Sequence, residues 1–264
     1  MNEHINIDDI LQLDIKRMGI NGEGIAYYKK LAIFVDHALP GEKVDVRINE
    51  VLDNRAIGSV EQIIEKSLER QTPFCPVYES CGGCQTQHID YEKMLAYKRD
   101  ILVKSFDRYA GLKINEKKIK PTKGADNPTH YRNKASLPVQ MVNKKNRFGM
   151  YARNSNQFIP IDDCPVQHEV INHIMRTIIK LMDKHHMDAY DPKTRRGYVR
   201  HLVVRVAEHT GEVQVSFIML KKSNRIDDVI KELIELEKDI VSIFEVVNPN
   251  LKKMGFFADE QRLV

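Results

Sequence analysis

Hydrophobic and polar residues alternate in two stretches near the N-terminus, Leu11-Gln12-Leu13-Asp14-Ile15-Lys16 and Val44-Asp45-Val46-Arg47-Ile48-Asn49. Leu31-Ala32-Ile33-Phe34-Val35 forms a continuous apolar run between them. Period-two alternation predicts strands with one buried face, and the apolar run predicts a strand buried on both. The segments are separated by Asn21-Gly22-Glu23-Gly24 and Leu39-Pro40-Gly41-Glu42, whose glycines and proline favour turns. Several short strands with Gly-rich turns within residues 10–65 predict a five-stranded, OB-like barrel. Such barrels often hold oligonucleotides, and Arg17, Lys29 and Lys30 near the turns favour that use over a packing domain.

The period then lengthens. Tyr91, Met94, Leu95, Ile101, Leu102, Phe106 and Tyr109 recur at helical spacing after Asp90, a candidate N-cap, and before Gly111, a candidate terminator. Lys134–Val142 and Arg147–Tyr151 read as a hairpin turning at Asn143-Lys144-Lys145-Asn146, with Pro138 favouring an edge position for its strand. A second helix is predicted over 167–186, a hairpin over Tyr198–Ala207 and Val213–Leu220, a third helix over 226–238 and a strand over 240–247. The expected fold is therefore α+β, a small barrel over 1–70 followed by an α+β domain over 71–250.

The net charge is only +4, but its distribution is uneven. Lys117, Lys118, Lys120, Lys123, Arg132, Lys134, Lys144, Lys145, Arg147 and Arg153 face a single acid, Asp126, between residues 117 and 153. Lys193, Arg195, Arg196, Arg200 and Arg205 form a second cluster, while 226–245 is acidic. Segregation of this kind creates local positive fields suited to a polyanion. Arg132, Lys134, Lys144, Lys145 and Arg147 on one hairpin, with Arg196 and Arg200, are the candidate phosphate contacts. The N-terminus MNEHINIDDI lacks an apolar signal region and no run of about 18 apolar residues occurs. A cytoplasmic protein without a membrane span is expected.

Cysteine spacing is the sharpest chemical signal. Cys75, Cys81, Cys84 and Cys164 are the chain's four cysteines, the first three in a C-x5-C-G-G-C arrangement. In a reducing compartment thiols remain unpaired, which favours ligation over two disulfides. Four soft ligands suit either a cubane iron–sulfur cluster or a four-thiolate zinc site. His88, following Cys84, leaves Cys75 and Cys164 unexplained as a zinc ligand and reads as a surface or packing histidine.

The segments C-P-V-Y-E-S-C-G-G-C-Q-T-Q-H-I-D-Y at 75–91, H-Y-R-N-K at 130–134, I-D-D-C-P at 161–165 and R-H-L-V-V-R at 200–205, behind a small barrel, resemble the bacterial RNA (uracil-5-)-methyltransferases. The likeness is to those that form 5-methyluridine in 23S ribosomal RNA and carry an N-terminal TRAM domain. It implies a 4Fe–4S cluster on Cys75, Cys81, Cys84 and Cys164, structured RNA, foremost 23S rRNA, as partner, and S-adenosylmethionine as the complete enzyme's methyl donor. The chain is expected to act as a monomer.

The resemblance also sets an expectation of absence. C5 methylation of uracil requires a nucleophilic thiolate, and no thiol is spare if all four bind metal. No Gly-rich nucleotide loop is visible, and the chain stops at Val264, where the family's Rossmann-like catalytic domain would begin. The expectation is thus a chain without catalytic or S-adenosylmethionine-binding residues, inactive alone. Helix 90–110 would face the missing domain and 251–264 would begin the linker to it. The alternative is a non-catalytic iron–sulfur RNA-binding module.

Overall fold

The computed structural model describes residues 5–249 and 261–264. They fall into two compact units, Met1–Tyr78 with Cys84–Asp126 and Glu79–Gly83 with Asn127–Val264.

The first unit is built on strands β1 (Ile10–Asp14), β2 (Arg17–Met18), β3 (Gly24–Tyr28), β4 (Leu31–Asp36), β5 (Lys43–Leu52) and β6 (Arg55–Glu65). Their order in the sheet is β1-β5-β6-β4-β3-β2, with β4 and β6 parallel and the other pairs antiparallel. Register shifts between Lys43/Val44, Asp45/Val46 and Ile48/Glu50 interrupt the long β5–β6 ladder. Irregularities of this kind bend a strand and increase its twist, which lets the sheet curl around a core. Alternation on β5 turns Val44, Val46 and Ile48 inward against Ile33, Val35 and Ala56. The sheet corrects the expected five-stranded barrel to six strands, two of them parallel. The extra strand is the two-residue β2, too short to carry a period-two signal.

Beyond β6 the chain is tied back by an ion pair. The Glu42 side chain is fully buried and accepts from Arg70 Nε at 2.6 Å and Nη2 at 2.8 Å, and from Leu39 N at 2.9 Å. Arg70 also donates to the His37 carbonyl at 2.6 Å. A helix, α1 (Tyr91–Ala110), follows; Asp90 caps it by accepting from Lys93 N at 3.1 Å, and Gly111 ends it at φ 62°. Met94 and Leu95 pack with Met18, Leu39 and Ile89, while Leu102 and Tyr109 stay exposed. The first unit therefore runs on to Asp126, past the boundary expected at residue 70, because α1 shares an apolar cluster with the barrel residues.

The second unit holds β7 (Lys134–Val142), β8 (Lys145–Tyr151), β9 (Phe158–Pro160), α2 (Glu169–Lys184), β10 (Val199–Val206), β11 (Val213–Met219), α3 (Arg225–Leu236), β12 (Ile240–Val247) and β13 (Gln261–Leu263). Strand order is β13-β12-β11-β10-β7-β8-β9, and β11 and β12 are parallel, joined through α3. Helix α2 buries Ile171, Ile174, Met175, Ile178 and Met182. The expected α+β domain is thus a seven-stranded mixed sheet. Strand β7 lies between β10 and β8, but at Pro138 it is paired on the β10 side alone, so the residue keeps the locally open side expected of it. Its missing N–H is tolerated because Pro138 pairs with His201 beside a bulge, and the β8 ladder starts only at Val139. The linker expected over 251–264 lies outside the described residues up to position 260, and Gln261–Leu263 pairs antiparallel with β12. Among the described residues no helix is long and apolar enough to cross a membrane.

Burial pushes the Glu42 carboxyl upward, but hydrogen bonds from Arg70, Leu39 and Ser67 and the Arg70 charge outweigh it and hold the group below the ordinary carboxylate range. A depressed folded-state pKa stabilises above the unfolded pKa, and that stabilisation is lost as pH falls through the folded value. Arg70→Met strands a buried carboxylate and is expected to cost about 3–5 kcal/mol at neutral pH. Urea unfolding at pH 7 and at pH 4 checks this: the gap between wild type and variant should narrow at pH 4, where protonation relieves the stranded charge. An equal gap at both pH values contradicts it.

Candidate nucleic-acid interface and cysteine segments

In the first unit the β3–β4 connection is a two-residue turn in which Lys29 and Lys30 both adopt left-handed φ, 47° and 75°. That geometry matches the twist of a hairpin and projects both lysines at its tip. Lys29 Nζ lies 5.1 Å from the Tyr28 ring centroid, and Arg17 Nη2 donates to Tyr27 Oη at 3.0 Å. Two of the three expected cations of this unit, Arg17 and Lys29, thus sit beside tyrosines.

Cys75 and Cys84 belong to this unit. Cys75 N–H donates to Gln87 Oε1 at 3.2 Å, and its carbonyl accepts from Tyr78 N at 3.2 Å. Tyr78 Oη and His88 Nδ1 are 2.6 Å apart, and His37 stacks on both rings at 5.3 and 5.6 Å. His88 is a buried packing residue. Burial first, then the charges of Arg70 and His37, lower its pKa to about 3, so it stays neutral.

Cys81 and Cys164 belong to the second unit. Gly82 N–H donates to the Tyr151 carbonyl at 3.1 Å, and a Cβ at Gly82 would lie 2.8 Å from that oxygen, so only glycine permits this approach. Gly83 N–H donates to Cys81 Sγ at 3.4 Å. Residues 130–134 are laced to 164–168: His130 N donates to Pro165 O, Arg132 N to Val166 O and His168 N to Arg132 O, each at 2.9 Å. Asn172, buried on α2, accepts from Cys164 N at 3.2 Å and donates to Cys164 O at 3.0 Å. Burial raises the Cys81 thiol pKa and a charge on Cys164 adds to the rise, while the Gly83 N–H and Arg132 oppose it. Without a compensating cation Cys81 is therefore held as a neutral thiol.

All four thiols are half-buried, and none forms a disulfide among the described residues. No three His, Cys, Asp or Glu side chains converge as a metal site among those residues. The donor chemistry fits a thiolate-bound centre in type. Cys81 and Cys164, both of the second unit, lie within electrostatic reach of each other.

The remaining cations divide by what they touch. Lys134 opens β7, exposed and opposite Arg205. Asn143 and Lys144, at φ 50° and 64°, form the tip of the β7–β8 hairpin, which places Lys144 and Lys145 in solvent. The expected four-residue turn is shorter because Asn146 is buried: its N and Nδ2 donate to Asp183 Oδ1 at 2.9 and 2.7 Å. Arg147 pairs with Asp162 at 2.6 Å, an exposed ion pair. Arg132 donates to the Gly83 carbonyl at 3.4 Å and Arg200 to the Asn248 carbonyl at 3.1 Å, so both guanidiniums hold backbone. Arg196 is exposed in the turn before β10. Asn146 and Asn172 escaped the sequence reading, although Asn172 is a polar position within the apolar stripe of α2 and could have marked a buried anchor.

Residues 9–60 match the TRAM domain. The chain is 37% identical over 258 residues to an uncharacterized RNA methyltransferase of Bacillus anthracis, a match spanning 97% of the chain and 56% of that protein. It is 39% identical to uncharacterized RNA methyltransferases of Enterococcus faecalis, over 90% of the chain and 52% of the relative, and of Listeria monocytogenes, over 96% and 55%. The chain spans about half the length of the curated relatives it matches. Its fold is similar, at TM-score 0.68 and 23% identity, to the crystal structure of Pyrococcus abyssi tRNA (uracil-54, C5)-methyltransferase in complex with S-adenosyl-L-homocysteine, covering 96% of this chain and 55% of that one.

These matches overturn the expectation of a fold lacking the family's Rossmann-like domain, and they give no support to that of an inactive chain. Nearly the whole chain aligns with RNA methyltransferases, and the position of a terminus carries no information about the protein's full domain content.

Asn172→Leu removes both side-chain hydrogen bonds to Cys164 and leaves two backbone groups to find other partners. A loss of about 1–3 kcal/mol in urea unfolding is expected, with faster alkylation of Cys164 in timed iodoacetamide labelling. Wild-type stability and labelling would show that Asn172 does not hold the segment.

Proposed function

We propose that the protein is an S-adenosylmethionine-dependent RNA (uracil-5-)-methyltransferase that forms 5-methyluridine in structured RNA, with 23S rRNA the foremost substrate. The observation carrying this reading is the identity of 37–39% along 90–97% of the chain to proteins named RNA methyltransferases, together with the TRAM match. Transfer RNA is the second substrate reading, favoured by the name of the solved methyltransferase that shares the fold. S-adenosylmethionine would supply the methyl group.

The residues described here are assigned to holding RNA. Arg17, Lys29, Lys30, Lys134, Lys144, Lys145 and Arg196 are the phosphate contacts, supported by their exposed or edge positions. Arg147 joins them by exchanging Asp162 for a phosphate, at little cost because exposed ion pairs contribute only about 0–1 kcal/mol. Arg132 and Arg200 support backbone instead. The protein is proposed to act as a monomer in the cytoplasm, the compartment of its RNA.

Cys75, Cys81, Cys84 and Cys164 are proposed as ligands of a 4Fe–4S cluster, on the strength of their sequence spacing and half-buried thiols. The positive irons of a cluster would offset the burial that holds Cys81 neutral. Four thiolates leave no open coordination position, so the role is structural.

The test of function is methyl transfer by the full-length protein from labelled S-adenosylmethionine to unmodified 23S rRNA and tRNA. Label recovered as 5-methyluridine in one of them is expected, and its absence from both overturns the reading. Anaerobically purified protein should be brown, with iron and acid-labile sulfide near about four per chain, whereas stoichiometric zinc without visible absorption refutes the cluster. Affinity for RNA should fall steeply with salt. Lys144→Ala/Lys145→Ala should flatten the slope of log K against log salt by about one unit per lost contact, and an unchanged slope removes the hairpin tip from the interface.

A further inference from the structure

Outward positions on the strands of a soluble barrel ordinarily carry polar side chains, because only the inward set is needed for the core. In the first unit this rule fails on one side of the sheet. The register places Arg17 beside Ile25, Ile25 beside Phe34, Tyr27 beside Ala32, Ala32 beside Arg55 and Phe34 beside Ile57. All these residues lie on the face opposite the inward Ala26, Ile33, Val35 and Ala56. Three strands thus present an outer set of Tyr27, Ala32, Phe34 and Ile57, beside the buried Ile25 and flanked by Arg17 and Arg55. Tyr27 is 46% exposed, and Phe34 and Ile57 are partly exposed.

We infer that this outer face of β2, β3, β4 and β6 is a stacking platform for unpaired RNA nucleotides, with Tyr27 and Phe34 as the base-stacking surfaces and Arg17 and Arg55 as the flanking cations. The inference rests on RNA being the partner, as proposed above, and names the part of the RNA and the face that takes it. Its chemistry is that of single-strand recognition, in which aromatic rings stack on bases and nearby cations follow the phosphates. Tyr27 suits the role because the hydrogen bond from Arg17 to its hydroxyl fixes the ring before any ligand arrives, so little rotamer freedom is lost on binding.

Charge gives the platform a polarity. Lys29 and Lys30 stand at the hairpin tip, and Arg55 pairs with Ala32 near that end. Asp36, opposite Ser59, lies toward the other end, while Glu50 stands beside Ile57 at the level of Phe34. The phosphates are therefore taken at the tip end and the bases along Tyr27 and Phe34. An apolar protein surface would fit the aromatic residues but offer no charge complementary to Arg17, Lys30 and Arg55, and so RNA is the occupant the face favours.

The experiment measures binding of a fluorescein-labelled oligouridylate and of a fully paired RNA duplex to the intact protein by anisotropy across a salt series. Tyr27→Ala should weaken oligouridylate binding roughly 5- to 150-fold with the salt slope unchanged, and should leave duplex binding within about twofold. Tyr27→Phe keeps the stacking face and should retain most of the affinity; because Tyr27 is exposed, both variants should fold, which circular dichroism verifies. Photocrosslinking with 4-thiouridine in the oligonucleotide should label the β3–β4 strands. Salt-dependent RNA binding with Tyr27→Ala at wild-type affinity overturns the platform alone. No salt-dependent binding to any RNA overturns the reading beneath it as well. A changed oligomeric state of Tyr27→Ala in light scattering, with RNA affinity intact, assigns the face to protein contact and also overturns the proposal.

Discussion

The first unit depends on one buried carboxylate. Glu42 sits in the turn before β5 with no side-chain surface left to water, and it gathers donors from the turn itself at Leu39, from the segment after β6 at Ser67, and from both Nε and Nη2 of Arg70. A buried charge is tolerated only with such saturation. The consequence is directional. Arg70 reaches the His37 carbonyl as well, so the chain leaving the barrel is fixed where it turns toward Cys75, and His37 is fixed where it stacks on Tyr78 and His88.

The second unit solves the same problem with backbone rather than charge. Cys164 is positioned by the ladder between 130–134 and 164–168 and by both halves of the Asn172 amide. Cys81 is positioned by a glycine pair close enough to β8 that a Cβ on the first would collide with the Tyr151 carbonyl. The Cys164 backbone is matched by Asn172, and Arg132, within electrostatic reach of Cys81, is occupied with the Gly83 carbonyl. Arg132 therefore acts as a strut, and the cations available to phosphate lie further out on the hairpins.

Cations and aromatic rings divide the labour of holding RNA. Lysines on left-handed hairpin tips are exposed and suit long-range, salt-sensitive attraction. Rings on a curved sheet are fixed by their neighbours and suit short-range stacking, which every base can satisfy. The structure places both on β3 and β4, Lys29 and Lys30 at the turn and Tyr27 and Phe34 along the strands.

Periodicity alone located the barrel, α1 with its caps at Asp90 and Gly111, α2 and the β7–β8 hairpin, because each buries one face and each burial leaves its period in the chain. Spacing alone singled out the four cysteines. What the sequence could not determine was every relation between distant segments. The two-residue β2, the place of β7 between β10 and β8 and the membership of α1 in the first unit depend on which strands pair and which apolar faces meet. Whether an arginine acts as a strut, as Arg132 and Arg200 do, depends on a carbonyl lying within hydrogen-bond reach. Tyr27 and Phe34 look in sequence like ordinary core residues. Only the register, by pointing them away from Ile33 and Val35, turned them outward, since a side chain's face in a sheet is set by pairing parity and not by its own hydrophobicity.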